Sequence, residues 1–211
     1  MIQDIYSPLN KSAFYMIQRR QRLIRAILAA SYSDVSKLKL LEIGCGSGQW
    51  FTEFQTYGFR VKNLSGIELD ESRVADANER IIGADIRSGN AAKLPWEDNT
   101  FDIVFQSTVF TSIPNKKIQE DAAKEMMRVC KDNGFILWYD FMYNSPSNKN
   151  VKGVKQHEIK ALFSPWDCKF KKITLAPPIA RRLVPMSWLT AEFIETIFPF
   201  LRTHLLVQIK K

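Results

Sequence analysis

Cysteine is scarce in this sequence. Cys45, Cys130 and Cys168 are far apart and odd in number, so neither a disulfide framework nor a zinc-ligand spacing is present. That usage suits a reducing compartment, and a cytoplasmic location is expected. Two histidines are too few for a histidine-rich metal site, and no metal is expected. No apolar run reaches the ~20 residues that cross a bilayer, and no signal-peptide pattern opens the sequence. Internal repeats and low-complexity tracts are missing too. So is any long block of like charge: the net charge of +8 comes from basic residues spread along the chain. A balance of that sign suits contact with anions, including weak contact with an anionic membrane surface, and a solvated basic surface explains it equally well.

The 211 residues, 45% of them apolar, are enough for one α/β domain over residues 1–211. Glycine is concentrated where it counts. An apolar strand, Leu38 to Ile43, runs into Gly44, Gly46 and Gly48, and a helix starts at Gln49. Glycine there lets the backbone turn sharply and approach a ligand without a Cβ. The dinucleotide fingerprint needs G-x-G-x-x-G, whereas here the spacing is G-x-G-x-G with Gln49 in the third place. Glu42 stands two residues ahead of the first glycine. A carboxylate at that point repels a pyrophosphate and suits a ligand with an ammonium and a sulfonium. This stretch resembles motif I of the class I S-adenosylmethionine-dependent methyltransferases. An ordinary strand–turn–helix corner is the plain alternative.

Further along, Ser12 to Ala30 has helical spacing, with Arg19, Arg20, Arg22 and Arg25 opposite its apolar face. It reads as a lid or anion-binding helix, or as a packed helix with a wet basic face. The second strand, Asn63 to Leu69, ends in Glu68, placed to accept from ribose hydroxyls, with Leu69 against the adenine. Asp70 competes for that role or caps the next helix. Gly83 to Arg87 is a third strand. Asn90, Ala91 and the Leu94-Pro95-Trp96 stretch then extend the methyltransferase resemblance, with Asn90 where an acid is usual; its acceptor oxygen is the same without the charge. The fourth strand is Thr100 to Phe105, followed by Gln106 to Phe110; in the resembled family that edge faces the transferred methyl. A helix, Lys116 to Cys130, and an Asp132-Asn133-Gly134 turn precede a fifth strand, Gly134 to Phe141.

Strands alternating with helices predict a parallel, doubly wound sheet. The resemblance implies a Rossmann-like, seven-stranded, mostly parallel sheet with helices on both faces and an antiparallel last strand beside the fifth. It divides the domain into a lead-in or lid (1–37), a cofactor-binding core (38–141) and a substrate side (142–211). In the last part, Tyr143 to Asn150 reads as loop, Lys155 to Phe163 as a helix, Phe170 to Leu175 as a strand broken by Pro177-Pro178, Ser187 to Phe198 as a helix and Thr203 to Ile209 as the closing strand. Trp138 to Phe141, Leu175 to Arg182 and Leu201 to His204 resemble small bacterial methyltransferases of polysaccharide and secondary-metabolite assembly.

S-adenosyl-L-methionine is therefore the expected cofactor, held by Glu42, Gly44, Cys45, Gly46, Gly48, Trp50, Glu68, Leu69, Asn90, Ala91 and Gln106. Methyl transfer to an oxygen of a small or carrier-linked acceptor is expected. Asp140, with Tyr139 beside it, is a candidate base or a mere cap of the next turn. His157 is a second candidate or a surface residue, and His204 reads as structural. Tyr143, Arg181 and Arg182 are candidates for the substrate. Nucleic acid is not the expected partner, because Gln106-Ser107-Thr108-Val109 replaces the Asn/Asp-Pro-Pro-aromatic loop of exocyclic-amine enzymes. A hydroxyl of RNA, a non-catalytic nucleotide-binding protein and a nicotinamide dehydrogenase are the competing functions.

Overall fold

A computed structural model of the chain describes residues 7–144 and 151–211. Residues 1–6 of the expected lead-in and Ser145–Asn150 of the expected loop lie outside the described residues. In chain order the elements are α1 (Lys11–Ser31), β1 (Leu40–Ile43), α2 (Gln49–Thr56), β2 (Leu64–Glu68), α3 (Glu71–Arg80), β3 (Asp85–Ser88) and β4 (Phe101–Ser107). They continue with α4 (Lys116–Val129), β5 (Cys130–Phe141), α5 (Gln156–Leu162), β6 (Asp167–Leu175), α6 (Pro177–Met186), α7 (Trp188–Ile197) and β7 (Arg202–Lys210).

Seven strands make one sheet in the order β3-β2-β1-β4-β5-β7-β6. β1 pairs in parallel with β2 and β4, β2 with β3, and β4 with β5. β7 lies between β5 and β6, and the sheet is mostly parallel with one antiparallel pair, as expected. The strand order reverses between β1 and β4, which opens a crevice beyond their carboxyl ends. All four residues of β1 are buried, the pattern of a strand covered on both faces.

By chain contacts there are two compact units, Asp34–Phe170 with Leu206–Lys211, and Met1–Ser33 with Lys171–Leu205. In the larger one, Gly66 of β2 matters for packing. A Cβ there would sit 2.6 Å from the Phe51 ring and 2.8 Å from Cys45 Sγ, so α2 and the glycine bend close onto a bare strand position. Asp70 caps α3, accepting from Ser72 N and Arg73 N. The Asp132-Asn133-Gly134 turn does not precede β5; it sits within it. On β4, Phe101 pairs with Cys130 and Ile103 with Phe135, so four residues of β5 bulge out against Asp102 alone. Lys131 Nζ meets Asp102 at 2.8 Å, and a Cβ on Gly134 would strike the Asp102 carbonyl.

In the smaller unit, Tyr15, Leu175, Ala180, Val184 and Ala191 form a buried cluster, with Trp188 and Ile194 packed on it. β6 ends at Leu175, just before Pro177-Pro178 as expected, and the same two prolines start α6, since proline's missing N–H costs nothing in a first turn. The basic face of α1 is not simply wet. Arg19 Nε lies 2.9 Å from fully buried Glu195, whose other oxygen accepts from Tyr15 OH, and Arg19 and Arg22 both reach Glu192. Burying a carboxylate without such partners is costly.

Candidate functional site

Beyond the carboxyl ends of β1, β2 and β4 lies a cleft of about 440 Å³, within the usual range for small-molecule sites. Five of the expected cofactor residues line it: Gly44, Glu68, Leu69, Asn90 and Ala91.

The bend owes its shape to three left-handed glycines, Gly44, Gly46 and Gly48, with φ of +65°, +52° and +80°. Gly44 N and Cys45 N both donate to Ile67 O, which ties the bend to β2. A Cβ on Gly44 would come within 2.5 Å of Val109, whereas one on Gly46 would meet nothing within 4 Å. The bend is thus closed at its first glycine and open at its second.

Glu68 holds the floor of the cleft together. One carboxylate oxygen accepts from Gly46 N at 2.9 Å; the other accepts from Leu69 N and Asp70 N at 2.9 and 3.1 Å. A carboxylate offers about four acceptor sites, so one remains for a ligand hydroxyl, and a second hydroxyl would have to share with Gly46 N. Leu69 beside it is 73% exposed, an apolar surface suited to a planar ring. Asn90 Oδ1 accepts from Ala92 N at 2.9 Å, which fixes the turn and leaves the amide NH₂ and a second lone pair for the cleft. Open space above Gly46, a half-buried acid at the second strand end and an exposed leucine after it suit a nucleoside with a charged tail.

Other expected residues lie elsewhere. Trp50 turns inward, its ring 4.8 Å from Phe105 and edge-on to it. Gly48 is buried against Ile81 and Ala77 and serves the turn into α2. Gln106 is fully buried within β4; its amide donates to Tyr139 O and accepts from Val109 N, so it braces the wall from behind. Glu42 is 2% exposed at the end of β1. Cys45 is buried too, and desolvation, reinforced by the charges of Glu42 and Glu68, pushes its thiol up to about 12.

The candidate bases are displaced as well. Asp140 is 1% exposed and accepts from Thr111 Oγ1 at 2.7 Å, Thr111 N at 3.2 Å and Phe141 N at 2.9 Å. Burial raises its carboxyl to about 6 against these bonds. Its bonds fix the Thr111 turn after β4 rather than the turn that follows β5. Tyr139 is also buried. His157 is exposed in the first turn of α5, and Tyr143 is half exposed after β5. Arg181 and Arg182 are exposed on α6, in the smaller unit.

The opposite wall includes Ser107, Thr108 and Val109, which belong to the stretch that the resemblance sets facing the transferred methyl, and Ser112, Ile113 and Ile118, which carry no mark in the sequence. β4 runs two residues further than its apolar pattern suggests, to Ser107, which buries Gln106 and puts Ser107 and Thr108 at the rim. Thr108 has φ +60°, a left-handed conformation that is a strained outlier for a β-branched residue. Its N–H donates to Tyr139 O at 2.8 Å and its hydroxyl to Ser107 O at 2.7 Å, and these bonds hold it there. Val109 could have been found by asking what covers a glycine bend.

Residues 41–138 match a family described as "Methyltransferase domain". Among curated relatives, a demethylmenaquinone methyltransferase of Listeria monocytogenes is 25% identical over 170 residues, which cover 77% of this chain and 70% of that one. A sterol 4-C-methyltransferase of Caenorhabditis elegans is 26% identical, over 63% of this chain and 41% of that one. The chain spans less than half the length of three of the curated relatives it matches. The fold is that of an S-adenosylmethionine-dependent methyltransferase from Mesorhizobium loti, with a TM-score of 0.66 at 14% identity over 90% of this chain and 96% of that one. With the glycine bend, the acidic strand end and the sheet order all in place, residues 41–138 match a methyltransferase domain and have the fold of S-adenosylmethionine-dependent methyltransferases.

Proposed function

We propose that this chain transfers a methyl group from S-adenosylmethionine to a small, largely apolar acceptor. The observation that carries this is the two-ended cleft. One end has the glycine bend, Glu68, Leu69 and Asn90. The other has Val109, Ile113, Pro114 and Ile118, with the neutral hydroxyls of Ser107, Thr108 and Ser112 between them.

When bound, the cofactor supplies an electrophilic methyl on a sulfonium that already contains its leaving group. The chain's contribution is then mostly placement of a nucleophile in line with that methyl. Glu68 would accept from the ribose, Leu69 and Ala91 would flank the adenine, and Asn90 would meet its edge. Glu42 would favour the cationic tail. Asp140 works through Thr111 as a positioning residue, since both its oxygens are turned to the protein.

Glu68 is the one carboxylate among the described residues that line the cleft, and it stands at the cofactor end. An acceptor that ionises readily by itself, such as a phenol, an enol or the ring of a quinol, therefore suits the wall better than an aliphatic alcohol. Two relatives are named for a demethylmenaquinone and a sterol, and these names support an apolar acceptor. A sugar hydroxyl of a nucleotide-linked or polysaccharide precursor, implied by the resemblance of the tail, is the second reading.

The test is incubation with methyl-labelled cofactor and three acceptor sets: phenols and quinols, nucleotide-linked sugars, and RNA. Label in the first set is expected. Label in sugars alone selects the second reading. Label in RNA alone, or tight cofactor binding with no transfer to any set, overturns both. Titration with NAD in parallel should give no binding.

A further inference from the structure

The smaller unit has a surface that the cleft does not use. On α7, Ala191 and Glu195 are buried while Leu189, Thr190, Phe193, Thr196 and Ile197 are exposed, and this outer face holds no charged residue. Leu189, Phe193 and Ile197 recur every four residues and so share a side of α7; Met186, the last residue of α6, and Phe200, in the short turn after α7, are exposed beyond its two ends. Each is more than half exposed, Leu189 at 79%. Single exposed leucines are ordinary; three large apolar residues on one side of a helix, with another exposed beyond each end, mark a surface that meets something.

Charge says what that is. The segments 1–33 and 171–205 contain ten Lys and Arg against three Asp and Glu, so this unit holds +7 of the chain's +8. Two of its three acids, Glu192 and Glu195, are paired with Arg19 and Arg22. Arg181 and Arg182 are exposed on α6, with Met186 one turn beyond Arg182 on the same face. We propose that the α6–α7 face is a docking surface for an anionic bilayer. Leu189, Phe193, Ile197 and Phe200 enter the boundary between headgroups and acyl chains, and the arginines meet lipid phosphates. A second copy would instead set +7 against +7. No helix among the described residues is long and apolar enough to cross a membrane, so the contact is peripheral. This inference goes beyond the methyl-transfer reading and stands whichever acceptor is correct.

Co-sedimentation of the full chain with vesicles tests it. Binding is expected to phosphatidylglycerol-containing vesicles, to weaken with salt, and to be near background on pure phosphatidylcholine. The pair Phe193→Glu with Ile197→Glu should reduce it to background. Arg181→Glu with Arg182→Glu should lower partitioning by about tenfold or more. Circular dichroism confirms that each pair is folded; should the first pair unfold, Leu189→Ser with Phe200→Ser takes its place. Equal binding to neutral and anionic vesicles, or binding that neither pair changes, overturns the proposal. So does equal retention by polyglutamate, or a dimer in solution that the first pair dissociates while vesicles are not bound.

Discussion

At the scale of single residues, the three glycines of the bend do different work. Gly44 is needed because Val109 covers it, Gly48 because α2 starts there, and Gly46 because its space is open. Gly46→Val therefore puts its branch into open space next to Glu68, to which Gly46 N donates, without striking the protein. The left-handed φ of +52° still penalises valine, and a stability loss of about 1–2 kcal/mol is expected. Calorimetry with S-adenosylmethionine should find binding abolished in a protein whose circular dichroism is native; unchanged affinity would place the cofactor elsewhere. Gly66→Ala is the contrasting variant. Its new methyl meets Phe51 and Cys45 behind the bend, so the melting temperature should fall several degrees, and binding should fail only as the fold does. The sequence makes Gly46 legible, because glycines at alternate positions after a strand are a local pattern. Gly66 carries no such mark: its need comes from a ring fifteen positions away in α2.

Elements repeat that division between local and distant causes. Helices and strands up to β4 follow apolar period and caps, and their ends agree with the sequence reading to within two residues. Legibility fails where a tertiary partner decides. The Asp132-Asn133-Gly134 signal is a true turn, but pairing with β4 continues on both sides of it and makes it a bulge. Pro177-Pro178 is a breaker only for the strand before it; packing against α1 gives the next turn its helix. At the end of β4, sequence put Gln106 in the site, whereas one more pairing step, Ser107 with Tyr139, buries it and brings out Thr108. The left-handed Thr108 then tests whether strain is kept for shape. Thr108→Gly relieves a penalty of roughly 1–2 kcal/mol and adds a smaller unfolded-state cost. It should unfold no earlier than wild type, while transfer to the preferred acceptor falls about tenfold or more. Thr108→Val should retain the strain, lose the hydroxyl bond to Ser107, and unfold earlier. If thermal melts and turnover fall together in the glycine variant, the bend at Thr108 is ordinary packing.

For the whole molecule, two buried groups oppose each other in acid. Asp140, in the larger unit, is raised by burial from 3.8 to about 6. Well below pH 3.8 it is neutral in both folded and unfolded chains; from there to pH 6 the unfolded chain ionises while the folded one keeps its proton, so stability is lost, by up to about 3 kcal/mol once pH has passed 6. His204, in the smaller unit, is lowered from 6.5 to about 3 by burial and, second, by the charge of Arg20. Its contribution is complete above pH 6.5 and is lost as pH falls towards 3, about 3 kcal/mol by pH 4. The slopes have opposite sign and similar size over the same window. Urea melts of the wild type between pH 4 and 7 should therefore change little if unfolding is one transition. Asp140→Asn leaves the histidine slope exposed, so the variant should gain stability as pH rises. His204→Gln leaves the aspartate slope, so it should lose stability as pH rises. Should the two units melt separately, the wild type itself would give two transitions, one favoured by acid and one by neutral pH, and each variant would flatten only its own. A pair of variants with parallel pH profiles would show that at least one of the two groups titrates near its ordinary value in the folded chain.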